Sequence, residues 1–543
     1  MRFTGYFLVI AFLLQVLRLH AQTAQLQVEY GDRVKIGYLM YHPVTFSPMI
    51  KNTEYERKIN QLIFGDGLFT RNNEGNVING LAETSFAEED RVWRIKLKSN
   101  IYFHDRTQMT SEDVKFTYEL YKKFALQSHV LFDVRYVSTV EVFDDLNLRI
   151  ILNRPLENFR ETIGQLPILR KAIYRKWLDF NLISMLPDVI PAVGCGYFIH
   201  RPLNNDMEIR LDVNRFHYNS RANLDGIDFV FFNREEELVE AFIQEKIDVI
   251  QIQGSTVRQK LLQIANSFQF LPAYRDDLKL YYINLNITRA PFNDLSIRKA
   301  VNYAIDKDLI IEKYLENKGH VASNVLDEKS AYYLDISDLD KYDPLRSIDI
   351  LQLAGYRRQE TGKLFKNGNE LKFEFYFEED SPYQESVVRL IAINLGELGV
   401  NVLPIPLKPY EIKRRLSEGR YQAALQHFVY DPISVIPVLR QFYLEELNKG
   451  DGFKNFNERF INQRIDISGK TFQESDLRQI AVQIQDRIIN KQPCIFLFIE
   501  DRAFYAFHKR ISHVKNIVIQ NYKPILKLYP IQEWYVEIDQ QKY

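Results

Sequence analysis

The sequence contains only two cysteines in 543 residues, and it lacks the patterns typical of metal sites. Cys195 and Cys494 are far apart in the chain and belong to no C-x-x-C pair, which argues against a zinc site. A secreted chain permits a disulfide between them, but both lie in apolar, strand-like surroundings, which favours free buried thiols. The ten histidines form no HExxH motif, so we expect no protein-built metal site and no cofactor.

An excess of charge and the common signatures of catalysis are also lacking. The chain has 70 basic and 71 acidic residues, whereas nucleic-acid binding depends on neutralising many phosphates. There is no G-x-S-x-G motif, and Gly194-Cys195-Gly196 lacks the third glycine of a dinucleotide-binding loop. We therefore expect no nucleic-acid partner, no catalytic residues and no enzyme activity.

The one long apolar run lies at the N-terminus. Residues 6–16 read YFLVIAFLLQV, follow Arg2 and precede Ala21, a small residue at a suitable cleavage position. The run is shorter than the ~20 apolar residues of a membrane-spanning helix. We predict that residues 1–21 are a cleaved secretory signal peptide and that the mature chain begins at Gln22.

The remaining sequence has the composition of a globular protein with several domains, 46% apolar and 26% charged. Aromatic residues reach 13%; most belong in cores, and such a chain also suits clefts for amphipathic ligands. Strand patterns alternate with helix patterns, which predicts an α/β fold with mixed sheets. Predicted strands include residues 35–40, 92–97, 137–142, 148–152, 249–252, 372–377, 423–428 and 495–498.

Two helix starts carry local capping signals. Thr110 and Asp113 have the spacing of a capping box, in which each side chain reaches an exposed backbone N–H. In residues 281–315 a buried strand and a turn precede a helix that Asn293 or Asp294 can cap. Apolar residues then recur at helical spacing from Ile297 to Leu309, which predicts one helix with one buried face.

This last segment closely resembles the start of the second lobe in the extracellular solute-binding proteins of family 5. These are the peptide- and nickel-binding receptors of bacterial ABC importers. The resemblance is carried by the sequence NLN followed by APFNDLSIRKAVNYAIDKDLI. Further segments resemble the family in the same order: residues 77–83, 101–114, 193–198, 224–228, 342–356 and 421–432.

The resemblance implies a two-lobed periplasmic-binding-protein-like fold with a hinge of two crossing strands. The crossings are expected near residues 282–286 and 500–505. Lobe I is expected at 22–279, with an extra subdomain at about 82–190. Lobe II is expected at 280–504, and residues 505–543 are expected to return to lobe I.

The resemblance also implies a periplasmic, monomeric receptor that captures a peptide-like solute by hinge closure. Its expected partners are that solute and an ABC permease and ATPase complex in the inner membrane. Two alternatives remain open. One is a sensor or chaperone-like binder of the same fold without transport, and the other is a secreted hydrolase.

In the first lobe, the resemblance places Asp66 at the edge of the ligand cleft. A carboxylate there can bind a cationic or N–H-rich ligand through charge-assisted hydrogen bonds. The alternative is a turn residue that caps its own loop. Phe69 suits either the cleft wall or the core.

In the second lobe, the candidates lie in residues 426–432, QHFVYDP. Peptide-binding members of the family have a longer loop here, with an earlier Asp that pairs with the peptide amine. Asp431 and Tyr430 are the ligand candidates, although Asp-Pro also simply begins a turn. His427 and Phe428 flank the same loop and are expected to form the wall of the cleft.

Overall fold

The computed structural model describes most of the chain from residue 30 onward. The described residues are 30–39, 44–49, 54–72, 76–128, 131–156, 158–160, 162–187, 191–252, 261, 268–315, 319–328, 330, 332–336, 341–379, 381–430, 435–443, 456, 458–471, 473–514, 516–519, 525–528 and 530–542. The predicted signal peptide, residues 1–21, lies outside them.

The first part of the chain, up to residue 252, supplies most of one lobe. Its strands are β1 (Arg33–Leu39), β2 (Phe69–Arg71), β3 (Val77–Asn79), β4 (Ala82–Glu88), β5 (Val92–Leu97), β6 (Val137–Val142), β7 (Asn147–Leu152), β8 (Phe198–Arg201), β9 (Glu208–Val213), β10 (Gly226–Phe232) and β11 (Val249–Ile252). Its helices are α1 (Glu54–Phe64), α2 (Ser111–Phe124), α3 (Lys171–Tyr174) and α4 (Glu235–Ile243). Short 3-10 helices occupy Phe132–Tyr136, Ile163–Gln165, Arg175–Asp179 and Ile183–Met185.

The second part supplies the other lobe and a C-terminal return. Its strands are β12 (Phe268–Leu285), β13 (Gly319–Val321), β14 (Arg357–Arg358), β15 (Leu364–Lys366), β16 (Asn369–Glu370), β17 (Lys372–Glu378), β18 (Asn401–Leu407), β19 (Ala423–Tyr430), β20 (Cys494–His508), β21 (Ile511–Ser512), β22 (Asn516–Ile519), β23 (Ile525–Leu528) and β24 (Tyr535–Val536). Its helices are α5 (Leu295–Tyr303), α6 (Lys307–Tyr314), α7 (Pro344–Leu353), α8 (Pro382–Glu397), α9 (Pro409–Ser417), α10 (Val435–Tyr443), α11 (Arg459–Lys470) and α12 (Glu474–Lys491). Two more 3-10 helices occupy Ile531–Glu533 and Ile538–Gln540.

One mixed sheet extends through both lobes, in the order β18-β17-β19-β12-β20-β11-β1-β10-β9-β8, with β13 also paired to β20. In the first lobe β1 is parallel to β10 and β11. In the second lobe β17 is parallel to β18 and β19. Strands β12 and β20 are antiparallel to each other. The predicted α/β class with mixed sheets and two lobes is confirmed.

Strands β12 and β20 form the connection between the lobes. At its first-lobe end β20 pairs with β11, where Ile252 lies opposite Phe504. At its second-lobe end β12 pairs with β19, where Leu278 lies opposite Tyr430. The pairing of β12 with β20 shifts register between Tyr274 and Lys279. This irregularity therefore lies between the two lobes, where a hinge has to bend.

Of the two predicted positions at which the chain crosses between the lobes, only one agrees with the structure. The expected crossing at 500–505 includes the shifted region, because Glu500 and Arg502 are the partners that flank it on β20. The expected crossing at 282–286 is wrong, since β12 already pairs with β19 there. The polar run Arg275-Asp276-Asp277 interrupts the apolar pattern, so the sequence pattern did not predict the first half of β12. The predicted lobe boundaries, 279/280 and 504/505, fall within these two strands.

Each lobe has its own apolar core. The first-lobe core contains residues of β1 and β10 together with residues of α2 and the antiparallel sheet β4-β5-β7-β6. Thr110 and Asp113 form the predicted capping box at the start of α2. In the second lobe, helices α5 to α8 cover one face of the sheet and α10 to α12 cover the other.

The predicted long helix after residue 294 is two helices. Asp294 caps α5 by accepting a hydrogen bond from the Ser296 amide at 2.8 Å, which selects it over Asn293. The prediction of one helix to Leu309 is wrong. Helix α5 ends at Tyr303, and Asp306 caps α6 by accepting from the Leu309 amide at 2.9 Å. The apolar periodicity continued across this break, so spacing alone did not reveal it.

Candidate functional site

The first-lobe candidate, Asp66, sits on a turn that packs tightly against backbone. Gly65, just after α1, has φ +77, and a Cβ added to it would lie 2.8 Å from Gly196 Cα. A Cβ on Gly67 would lie 2.4 Å from the carbonyl carbon of Gln165. Both glycines are required by close approach, so the position of Asp66 between them is fixed by the surrounding chain.

Hydroxyl groups hold the Asp66 carboxylate. The Thr70 hydroxyl donates to Oδ1 at 2.7 Å, and the Tyr218 hydroxyl donates to Oδ2 at 2.5 Å. The Lys98 ammonium lies 4.7 Å from the centroid of the Tyr218 ring and donates to the Gly80 carbonyl at 2.5 Å. Asp66 is therefore part of a polar cluster of three segments of the first lobe.

Burial is the main cause of the pKa shifts of the groups around Asp66. Burial raises the pKa values of the Tyr218 hydroxyl and the Cys195 thiol, and the Asp66 charge adds to both shifts. Burial lowers the pKa of His217 to about 4, against the opposing effect of Asp66. Burial also lowers the pKa of Lys98, again against the Asp66 charge. The cluster thus combines one carboxylate and one amine with neutral hydrogen-bonding groups.

The second-lobe candidate His427 lies on β19, half-buried and opposite Tyr281 of β12. The two rings are 5.7 Å apart, measured between centroids. The Tyr281 ring also packs against Phe498 at 4.7 Å and lies 5.0 Å from the Lys279 ammonium. His427 is therefore positioned by aromatic contacts.

Two of the predicted wall residues are core residues. Phe69 has no exposed surface, and its ring contacts Trp93 and Phe159 edge-on. Phe428 is also fully buried and packs 5.1 Å from Phe442. Full burial agrees with the core alternative for Phe69 and places Phe428 in the second-lobe core in this structure, and a contact of either ring with a ligand stays a prediction.

The structure describes β19 to its end at Tyr430, and residues 431–434 lie outside the described part of the chain. Tyr430 is the last residue of β19 and pairs with Leu278 of β12 through the backbone. Asp431 lies outside the described residues. The structure thus brings Asp66 and Phe69 together in the first lobe, and His427, Phe428 and Tyr430 together on one strand of the second.

The sequence analysis did not select the Glu378 carboxyl, at the end of β17, or the Lys279 amine, on β12 opposite Val429 of β19. The Glu378 amide donates to the Gln384 side chain at 3.1 Å. Burial raises the pKa of the Glu378 carboxyl, whereas the charge of Lys279 acts in the opposite direction. Glu378 and Lys279 therefore add titratable groups to the second-lobe candidates.

No sequence pattern predicted which residues lie next to Asp66. Tyr218 lies far along the chain from Asp66, and Lys98 belongs to another strand region, so no local spacing links them. Tyr281 was placed in a buried strand, but its contact with His427 depends on the pairing of β12 with β19. Such contacts follow from topology, which the local pattern does not determine.

Within the described part of the chain, no group of three or more His, Cys, Asp or Glu residues is placed to hold a metal ion. None of the described helices is both long and apolar enough to cross a membrane. Cys195 and Cys494 are free and buried, as predicted.

Comparison with protein-family models identifies the family of the chain. The model described as "Bacterial extracellular solute-binding proteins, family 5 Middle" matches residues 76–449. The match covers more than half of the chain; it begins after Asp66 and includes residues 426–432.

Individual relatives agree with this match. Heme-binding protein A of Haemophilus influenzae is 22% identical over 428 residues, covering 70% of this chain and 72% of that protein. Oligopeptide-binding protein AppA of Bacillus subtilis is 20% identical over 504 residues, covering 91% of this chain and 90% of that protein. The crystal structure of NikZ from Campylobacter jejuni in complex with Ni(L-His) has a TM-score of 0.73 at 18% identity, covering 93% of this chain and 99% of that chain. At this identity the structural likeness shows the shared fold.

Proposed function

The chain belongs to the bacterial extracellular solute-binding proteins of family 5, and from this premise we propose that it captures a peptide-like solute between its lobes. Members of this family are substrate-binding receptors of ABC importers. In the proposal the protein acts in the periplasm as a monomer, after removal of residues 1–21. It delivers its solute to an ABC permease and ATPase complex and catalyses no reaction.

The observation that carries the proposal is the strand pair β12 and β20, which runs through both lobes. Its register shift between Tyr274 and Lys279 offers a place where a few backbone angles can change. A solute that contacts both lobes stabilises the closed state relative to the open one, and a permease can then recognise that state.

In this proposal Asp66 is the first-lobe ligand group and a candidate for binding a solute amine. Each carboxylate oxygen has two lone pairs, so the hydrogen bonds from Thr70 and Tyr218 leave acceptor capacity. The second-lobe groups are His427, Tyr430 and Asp431. Peptide is favoured as the solute class because Asp66 and Asp431 are acidic and because a relative is named for oligopeptide binding.

The experiment starts from mature protein beginning at Gln22, purified without denaturant. Native mass spectrometry identifies any co-purified molecule, and thermal unfolding then tests a peptide panel, a nickel–histidine complex and heme. A peptide that raises the melting temperature supports the proposal, because a ligand selective for the folded state must stabilise it. Stabilisation by the nickel complex or heme alone contradicts the peptide assignment and leaves solute capture in place.

Two further measurements address the alternatives. A transport role predicts permease and ATPase genes beside the gene for this chain, whereas a sensor or chaperone-like binder does not require them. A secreted hydrolase predicts turnover of a peptide or glycoside panel that is lost in Asp66→Asn. Absence of turnover in the wild-type protein excludes that alternative.

A further inference from the structure

The lobes meet at a second place besides the crossing strands. On the first-lobe side this junction contains the end of α2 and the 3-10 helix Phe132–Tyr136. On the second-lobe side it contains the helices α10 and α11. Leu126 and Gly469 approach closely here, since a Cβ added to Gly469 would lie 3.3 Å from Leu126 Cδ2.

Arg135 connects the first lobe to α11 of the second. One terminal nitrogen, Nη2, donates to the Tyr136 hydroxyl at 2.8 Å, and the guanidinium lies 4.3 Å from the centroid of the Tyr136 ring. The other nitrogen, Nη1, donates to the Thr471 carbonyl at 2.7 Å. Arg135 is thus anchored in its own lobe by one nitrogen and bound to the other lobe through the second.

Arg440 of α10 likewise binds both lobes, but it belongs to the second lobe and reaches into the first. Its Nη1 donates to the Ile465 carbonyl in its own lobe at 2.8 Å. Its Nη2 donates to the Leu126 carbonyl of the first lobe at 3.2 Å. Both arginines are only 8% exposed, so the junction is largely shielded from water.

Both carbonyls that accept these bonds across the junction lie at helix C-termini. Thr471 is the C-cap of α11, and Leu126 follows Ala125, the C-cap of α2. The last carbonyls of a helix have no partner within the helix and carry the negative end of its dipole. Each arginine therefore binds a backbone carbonyl at, or one residue beyond, the C-cap of a helix in the other lobe.

The two guanidinium groups are also electrostatic neighbours. Burial is the main cause that lowers the pKa of Arg440 to about 10, and the charge of Arg135 contributes in the same direction against that of Asp466. Both groups remain charged at neutral pH, so their hydrogen bonds are charge-assisted and stronger than neutral ones.

We propose that Arg135 and Arg440 form a reciprocal latch that holds the lobes in the arrangement of this structure by binding carbonyls at each other's helix ends, and that this arrangement is the closed one. The latch sets the ratio of closed to open molecules before solute binds. The latch proposal rests on the proposed function in one respect, because it assumes that the two lobes open and close.

The test measures the distance between the lobes in solute-free protein. Spin labels are attached at Glu119→Cys on α2 and Asp476→Cys on α12, both exposed positions, while the native cysteines are buried. The latch predicts a short-distance population in the parent protein. Arg135→Gln and Arg440→Gln should each lower the closed-to-open ratio about tenfold, the size expected for one charge-assisted hydrogen bond. The exposed control Arg478→Gln, also on α12, should leave the ratio unchanged.

A thermal unfolding transition confirms that each variant is folded. Where a Gln variant loses that transition, Arg135→Lys or Arg440→Lys replaces it, because lysine keeps the charge but cannot bind both lobes with a planar fork. Unchanged distances in folded variants, or a parent protein without a short-distance population, would overturn the latch. The distances are measured without solute, so the change in the closed-to-open ratio does not depend on solute binding. The latch can therefore be confirmed or overturned separately from the proposed function.

Discussion

Asp66 in the first lobe and His427 in the second are held by different kinds of contact. Asp66 receives two directional hydrogen bonds and stands on a turn whose glycines touch neighbouring backbone. His427 is half-buried, and its ring lies 5.7 Å from the Tyr281 ring between centroids. Directional contacts preorganise a group, whereas ring contacts tolerate small shifts. We therefore expect the contacts around Asp66 to be more sensitive to substitution than the contact between His427 and Tyr281.

The largest expected effect is a loss of stability of the first lobe at acid pH. His104, His200 and His217, all in this lobe, have pKa values lowered to about 4 by burial. Between pH 6.5 and 4 the unfolded chain binds protons that the folded lobe does not, so stability falls as the pH falls through this window. The loss should be on the order of 2 kcal/mol for each histidine.

Tryptophan fluorescence can follow this unfolding in the first lobe. The three tryptophans, Trp93, Trp177 and Trp534, all belong to its core. Urea unfolding should show a lower free energy of unfolding at pH 4.5 than at pH 7. His217→Phe, which keeps a ring stacked on Tyr197 but cannot be protonated, should reduce the difference. Equal stability at both pH values would refute this explanation.

The second prediction concerns the turn that holds Asp66. Gly67→Ala places a methyl group 2.4 Å from a backbone carbon, so the chain must shift and the free energy of unfolding should fall by about 3 kcal/mol. Gly396→Ala is the matched control, because that glycine is exposed on α8 and has nothing within 4 Å. Better helix propensity should make the control neutral or slightly stabilising. Similar urea midpoints for the two variants would show that the turn is not tightly packed.

The third prediction concerns the hydrogen bond from Tyr218. Tyr218→Phe removes one donor from the half-buried Asp66 carboxylate and should lower the free energy of unfolding by about 1.5 kcal/mol. Tyr102→Phe, at an exposed tyrosine, should change it little. Chemical denaturation of both variants measures the difference. No loss in Tyr218→Phe would mean that the Asp66 position does not depend on this bond.

The smallest effect is expected in the second lobe. His427→Gln removes a half-buried ring that packs against Tyr281 and should cost less than about 1 kcal/mol of unfolding free energy. Differential scanning calorimetry compares it with Tyr218→Phe. A larger loss in His427→Gln than in Tyr218→Phe would reverse the comparison between the lobes.

The features that were predicted from the sequence are those coded locally. Thr110 and Asp113 formed the expected capping box, and β5 (Val92–Leu97) has the expected bounds, because a few neighbouring residues determine each. The break at Asp306 was missed because the apolar periodicity continues through it. The first half of β12 was missed because charged residues occupy a strand that crosses between lobes.

The candidate site was less predictable than the fold. Asp66 itself came from the family resemblance, but its contact with Tyr218 joins distant parts of the chain. Phe69 and Phe428 are core residues, and an aromatic residue beside a turn carries no sequence signal that separates core from cleft. Arg135 and Arg440 gave no signal either, because each acts across the junction between lobes.

The most direct test of solute capture by closure is small-angle X-ray scattering of mature protein, first stripped of bound molecules by reversible denaturation and then titrated with the molecule identified by native mass spectrometry. The account predicts a smaller radius of gyration on titration, together with a higher melting temperature, because the solute joins the two lobes across the β12 and β20 hinge. A molecule that raises the melting temperature while the radius of gyration stays constant would contradict closure around the solute.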